Sequence, residues 1–375
     1  VLCAVAWLGI NVAFNYDGHI TGLFWTGALA PLPSTAGLDR GYRNDDPRGY
    51  DGHYCHLIAH DPLIRRGFIP FIDNPRLRWR RIGVPGLAAL ITGGSDRYVD
   101  AAYVVIQVAF VFLGAFWLGR YAQRYKARAW WGLAFLLIPA VAVSLDRMTV
   151  DLPLAALSIG LIWYGTSAAD DVPRPRWPVY AVLCAAPLIR ETGMVLVLAW
   201  CLYSVLQRRW RAALLGVACA VPALAWWAYV QLHTPVDGTP WLSLVPFSGI
   251  VRQTLLGIQG PTSTLWLRAA AIFEELALAG IWLALLLAVY LAWKRRWGLI
   301  EVTVILFVAF ASVLGLDIWN SAYGTARTMS PLLIMLGLLA LKERRTAFAL
   351  PLLLILPRIA LQYEAQLKGA LRAMS

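Results

Sequence analysis

The chain has 375 residues, 59% of them hydrophobic and only 14% charged, with a formal net charge of +12 and a mean hydropathy of +0.62. A soluble domain of this length cannot hide so much apolar surface, which excludes a water-soluble enzyme. The positive charge does not call for nucleic acid, because many Lys and Arg sit in short loops between apolar runs, as in the cytoplasmic loops of a membrane protein.

Residues 1–14 are apolar and are read as the end of a first membrane helix, so earlier residues are expected to be missing. Residues 15–97 follow as a long outer loop with two expected interfacial helices. The first, over 52–66, would turn Leu57, Ile58, Leu63 and Ile64 to an apolar face, with Pro62 kinking or ending it. The second, over 82–92, is short, and Arg78, Arg80 and Arg81 crowd its start, so it is expected to lie in the interface rather than cross. Ten apolar runs come next, at 98–119, 129–145, 150–167, 178–190, 192–206, 212–231, 266–293, 299–316, 329–341 and 346–358. With the first run they predict about eleven spans, each ideally near 20 residues.

The basic loops 120–128, 170–176 (with Arg174 and Arg176), 207–211, 294–296 and 342–345 then all fall on the cytoplasmic side. Trp130, Trp131, Trp177, Trp210, Trp241, Trp266, Trp293 and Trp297 sit near helix ends, as in an aromatic belt. The expected fold is an all-α polytopic membrane protein, one transmembrane domain over 1–375. It divides into the outer loop 15–97, a helical module 98–210 and further helices 211–375. Cys3, Cys184, Cys201 and Cys219 lie in apolar runs and Cys55 is alone in a polar loop, so neither a disulfide framework nor a CxxC site is indicated.

Polar chemistry concentrates on the outer side. The first loop holds Asp45, Asp46, Asp51, Asp61 and Asp73, the three histidines His53, His56 and His60, and many Arg but no Lys. Arg offers a planar donor fork suited to phosphate or carboxylate. A solvated loop with internally paired charges is the plain alternative. His53, His56 and His60, with Asp51 and Asp61, have spacings that permit a divalent metal without demanding one; His53, His56 and Asp61 are the candidate ligands. Two further clusters lie in apolar surroundings, Asp146, Arg147 and Asp151 in one and Arg190 and Glu191 in the other. Ionisable residues there are costly and mark functional candidates, unless they form one paired network such as Asp151 with Arg190. Residues 231–268, with His233, Asp237 and Trp241, are read as a loop over the site. Residues 317–328 hold Asp317, Asn320, Tyr323 and Arg327, the last a phosphate contact or a headgroup anchor.

The ordered set Gly49, Tyr50, Asp51 and Gly52 with Tyr54, Ile58 and Ala59, then Arg78, Trp79, Arg80, Arg81, Ile82 and Pro85, then Arg147, Asp151 and Pro153, then residues 188–193 (LIRETG), resembles the GT-C superfamily of membrane glycosyltransferases. The likeness is to its bacterial cell-surface glycopolymer or mannosyltransferase-like branch, with protein O-mannosyltransferases and lipid A aminoarabinose transferases as more distant relatives. It covers roughly residues 1–210. It implies an inverting transfer of sugar from a polyprenyl-phosphate donor to a glycan, lipid or protein acceptor, outside the cytoplasmic membrane of a bacterium. Asp51 then matches the family's acidic base or acceptor-orienting residue, Asp151 its second acidic position, and Arg190 the holder of the lipid phosphate. Gly52 stands where many relatives carry a second acid, which argues against a paired-carboxylate metal site there.

Independently of the family, such a transfer needs a base near the acceptor hydroxyl and positive charge on the departing phosphate. Asp51 offers the first; Arg190, Arg80 and Arg81 offer the second, with Arg78, Arg147, Glu191, Tyr54, His53 and Arg327 as further substrate contacts. A transporter or flippase of lipid-linked saccharides would instead line a path through several helices. A non-catalytic assembly subunit would have little use for buried acids and arginines on one face.

Overall fold

The computed structural model describes residues 1–166, 177–236, 242–257 and 264–374. Arg174, Arg176, Asp237 and Trp241 therefore lie outside the described residues. Among the described residues there is no β-strand, only isolated bridges at Gly27–Asn44 and Leu242–Leu314.

Helix α1 (Leu2–Ile10) continues into a π-turn at Asn11–Asn15. The segment 15–97 carries α2 (Asp51–His60), α3 (Pro75–Arg80) and α4 (Gly83–Ile91). Then come α5 (Val99–Arg124), a 3-10 segment at Ala129–Leu137 bent by 62° into α6 (Pro139–Arg147), α7 (Asp151–Gly165), α8 (Trp177–Ile189) and α9 (Gly193–Leu206). The remainder is α10 (Trp210–Ala218), α11 (Val221–His233), α12 (Ser248–Leu256), α13 (Leu265–Trp293), α14 (Leu299–Ser312), α15 (Leu316–Trp319), α16 (Ala322–Glu343), α17 (Leu350–Ala360) and α18 (Tyr363–Met374).

Four of these helices are long and apolar enough to cross a bilayer: Val99–Arg124, Trp210–His233, Leu265–Trp293 and Ala322–Glu343. The bent pair ending at Arg147 makes a fifth if it is one span. Val105, Phe112 and Phe116 on α5, Leu214 on α10, and Leu286 and Val289 on α13 are exposed. Water would punish so continuous an apolar exterior, whereas lipid accepts it. The chain is an all-α membrane protein. Trp130, Trp131, Trp177, Trp210, Trp266, Trp293 and Trp297 are all exposed, as amphipathic rings at an interface are.

Helices α7 and α16 form the buried centre: α7 is buried at every position from Asp151 to Trp163, and α16 over most of its length. Charged groups gather at both ends of the bundle. At one end Arg124 donates to the Thr166 and Trp163 carbonyls, capping the last turn of α7, while Lys342 pairs with Glu301 and Arg296 with Glu343. At the other end lie Asp151, Arg190 and Arg327, joined to the segment 15–97 through Asp51.

Several boundaries differ from the sequence expectation. Helix α2 stops at His60 rather than running to residue 66, because Pro62 cannot continue it and Asp61 closes the next turn by accepting from the Arg65 and Arg66 N–H groups. Leu57 and Ile58 are buried as expected, but Leu63 is exposed beyond the helix end. The run at 329–341 belongs to a helix that already begins at Ala322, so Arg327 stands within α16 rather than ahead of it. Residues 231–268 are not all loop: α12 lies within them. Helix α4 has nine residues, roughly 14 Å, well short of a hydrocarbon core of about 30 Å.

Candidate functional site

The segment 15–97 has a small core of its own, and it aims the arginines. Leu38, Leu57, Ile58, Phe68, Ile72 and Trp79 pack with Val230 of α11. Pro75 opens α3 and Asn74 caps it by accepting from Leu77 N–H. Trp79 is fully buried; its indole donates to the Asp61 carbonyl at 3.0 Å and its own carbonyl accepts from the Trp226 indole at 2.7 Å. With Trp79 fixed, Arg78 and Arg81 reach toward Asp51 and Glu191, while Arg80 reaches over the Trp227 ring. The expected phosphate contact at Arg80 is thus outside the network formed by its neighbours.

Asp51, the first residue of α2, receives Arg78 Nη1 on Oδ1 at 2.9 Å and Arg327 Nη2 on Oδ2 at 2.5 Å. Arg78 also holds Asp73 through two bonds of 2.9 Å and lies 4.5 Å above the Tyr54 ring. Asp151 opens α7. Arg190 binds its Oδ1, Thr149 donates to Oδ2 at 2.8 Å, and Arg327 Nε stands 3.3 Å from Oδ2. The Asp151–Arg190 pair anticipated as the plain reading is therefore present, and Arg190 also reaches Thr328 at 3.0 Å. Glu191 is held by Arg81 in a two-bonded fork at 2.7 and 2.9 Å. Arg147 lies over Trp25 and Tyr50, and Arg327 shares the Tyr50 ring from 5.2 Å.

Five arginines (78, 81, 147, 190 and 327) thus face five carboxylates (51, 73, 146, 151 and 191), a set balanced as it stands. Within it Arg327 Nη1 and Nε and Arg190 Nε are buried without a hydrogen-bond partner among the described residues. Buried N–H groups of this kind carry a full desolvation cost and are satisfied by an acceptor that enters. Burial alone would raise the Asp51 carboxyl, but the Arg327, Arg78 and Arg81 charges overcome it and hold it well below the usual carboxylate range. Burial likewise works against Glu191, and Arg81 with Arg190 brings it down to about 2. Asp151 is 5% exposed and occupied at both oxygens, the geometry of an anchor that holds two arginines rather than of a proton acceptor.

Gly52 is explained by contact. A Cβ there would lie 2.0 Å from the Arg147 carbonyl oxygen and 2.8 Å from that of Phe24, so α2 can only approach α6 through glycine. A second acid beside Asp51 has no room.

The expected metal group does not assemble. His53 Nδ1 faces Thr26 Oγ1 at 3.4 Å, and Asp61 is spent on backbone N–H groups. His56 turns instead toward His60 and Asp100. Sequence reasoning missed Asp100 and Asp96, whose signal was an i, i+4 acid pair at the head of the α5 run, and gave Thr149 and Thr328 no role.

A cavity of about 380 Å³ lies between α12, α13, α15 and α16, lined among others by Gln253, Glu274, Asp317, Trp319, Asn320 and Thr325. An apolar groove of about 410 Å³ follows the far half of α16, lined by Leu118, Leu137, Ile159, Leu333, Leu338 and Leu352.

No family model, no curated protein and no solved structure matches this chain.

Proposed function

We propose that this protein is a GT-C-type glycosyltransferase that moves a sugar from a polyprenyl-phosphate donor to a hydroxyl of a glycan, lipid or protein acceptor. The observation that carries this reading is the cluster of Asp51, Arg78, Arg190 and Arg327 at one end of an apolar helical bundle, with buried Arg327 and Arg190 N–H groups lacking a hydrogen-bond partner among the described residues. A phosphodiester on a lipid is the ligand that needs both guanidinium forks and a membrane. The polar cavity lined by Thr325 and Asn320 suits an acceptor's hydroxyls.

In the proposed step the acceptor oxygen attacks the anomeric carbon and the bond from that carbon to the phosphate oxygen breaks. The acceptor proton passes to Asp51, and the leaving phosphate takes its negative charge onto Arg327 and Arg190. Because the resting cluster is balanced, the phosphate binds by exchange: Arg327 turns from Asp51 to the phosphate, and Asp51, losing a cation, becomes a stronger base only when donor is present. About eleven helical legs cross the membrane, counting the short apolar helices. The basic end faces the cytoplasm and the arginine site faces the exterior of the bacterial inner membrane.

The test is transfer of sugar by purified protein from a synthetic polyprenyl-phosphate donor, with wild type against Asp51→Asn. The reading predicts product with wild type and a loss of at least about a hundredfold in the variant. Donor bound or moved across vesicles without product would support transport instead.

A further inference from the structure

A second polar cluster lies behind the arginine site and takes no part in it. His56 and His60 are one helical turn apart on α2, and both imidazoles point toward Asp100 in the first turn of α5. His56 Nε2 stands 2.9 Å and His60 Nε2 3.1 Å from the same atom, Asp100 Oδ1. His60 Nδ1 is bonded to Asp96 Oδ1 at 2.8 Å, and Asp96 is fixed in turn by the Arg66 fork at 2.6 and 2.8 Å. The His56 ring is stacked on Phe24, with centroids 4.5 Å apart.

We propose that His56, His60 and Asp100 form a divalent transition-metal site of the zinc type, which pins the helix bearing Asp51 to the head of α5. The donor set is two imidazoles and a carboxylate, which suits zinc over calcium or magnesium. The 2.9 and 3.1 Å separations from Asp100 Oδ1 are a few tenths of an ångström inside the roughly 3.3 Å between donors around a tetrahedral zinc with bonds of about 2.0–2.1 Å, so a small outward shift of the side chains admits the ion. Asp96 supplies the outer carboxylate that fixes a ligating histidine's tautomer, leaving His60 Nε2 with its lone pair toward the group.

A purely hydrogen-bonded reading leaves His56 unexplained. That side chain is 98% buried by residue exposure, yet neither ring nitrogen has a hydrogen-bond partner among the described residues. At 2.9 Å its approach to Asp100 is close but not aligned as a hydrogen bond. A nitrogen directed off its neighbouring oxygen is what a shared ion between them requires. Asp51 begins the helix whose last turn carries His60, so the site would position the base of the proposed transferase. The metal site itself does not depend on that reading.

The experiment uses the full chain purified in detergent, stripped with chelator and reloaded with Zn(II). One zinc per chain by elemental analysis is expected, with X-ray absorption showing two imidazole nitrogens at about 2.0–2.1 Å. His56→Gln and Asp100→Asn should each lose the zinc, while Arg80→Gln, whose side chain lies over Trp227 and offers the cluster no ligand, keeps it. Absence of stoichiometric zinc in the reloaded wild type overturns the proposal, as does zinc retained in both ligand variants. The absorption spectrum decides on wild type alone, should a variant fail to fold.

Discussion

Arg327 Nη2 lies 2.5 Å from Asp51 Oδ2 across 276 positions of sequence, tying the centre helix α16 to the first residue of α2. The same guanidinium keeps Nη1 buried and without a hydrogen-bond partner among the described residues. If donor phosphate draws Arg327 away, the basicity of Asp51 depends on substrate. In the free protein its carboxyl is held below the ordinary range, so it stays ionised from the ordinary carboxylate value upward and loses its charge only at lower pH. The expectation is a kcat/KM profile with no acid limb from Asp51 above about pH 4, and a kcat profile whose acid limb has moved upward. Identical limbs in the two profiles would show that Arg327 does not leave Asp51.

Asp151 and Arg190 form a buried pair, each side chain 5% exposed. Removing one partner strands the other, which costs about 3–5 kcal/mol, whereas removing both costs much less. Arg190→Gln alone should therefore lower the melting temperature in detergent markedly, and Asp151→Asn with Arg190→Gln should recover part of the loss. If the pair is only structural, the double variant also recovers transfer. The proposed phosphate role predicts that it regains stability and stays inactive.

What was legible in the sequence, and what was not, divides along physical lines. Asp51, Asp151 and Arg190 stand out because charge amid apolar residues has few explanations, and their meeting at one end follows from threading the basic loops to the other. Arg327 falls ahead of the 329–341 run because residues 322–328 (AYGTART) are too polar to extend an apolar run; packing in the bundle centre makes them helical. Arg80 looked equivalent to Arg78 and Arg81, and only the burial of Trp79 shows which way each points. His56 and His60 have a visible spacing, but their carboxylate lies 40 positions beyond His60 on another helix, and no local pattern announces it. Helix α18 escaped notice because it is amphipathic and short; it lies against the Asn11–Asn15 turn, with Gln366 donating to Asp146.

Gly52 makes a steric prediction. A methyl group there would fall 2.0 Å from the Arg147 backbone oxygen, which no side-chain rotation relieves. Gly52→Ala is expected to push α2 off α6 and cost roughly 1–3 kcal/mol or more, with Gly52→Asp worse. Size-exclusion profiles after heating measure it. A Gly52→Ala protein as stable and active as wild type would mean that the approach of α2 to α6 is looser than the structure has it.

His53 makes the last prediction, on stability against pH. It is buried beside Thr26, and burial, with the neighbouring His56 and Arg43 adding to it, pushes its pKa down to about 3. Between about 3 and the ordinary value near 6.5, the unfolded chain takes up a proton that the folded protein refuses. The unfolded state binds more protons in that window, so stability falls as pH drops through it, by at most about 1.4 kcal/mol per pH unit for one group. His53→Gln keeps a polar side chain of similar reach without the titration. Melting curves in detergent from pH 7.5 to 5 should therefore be shallower in pH for His53→Gln than for wild type. Equal slopes would show that His53 accepts its proton in the folded protein, and that the layer between α2 and residue 26 is wetter than its burial implies.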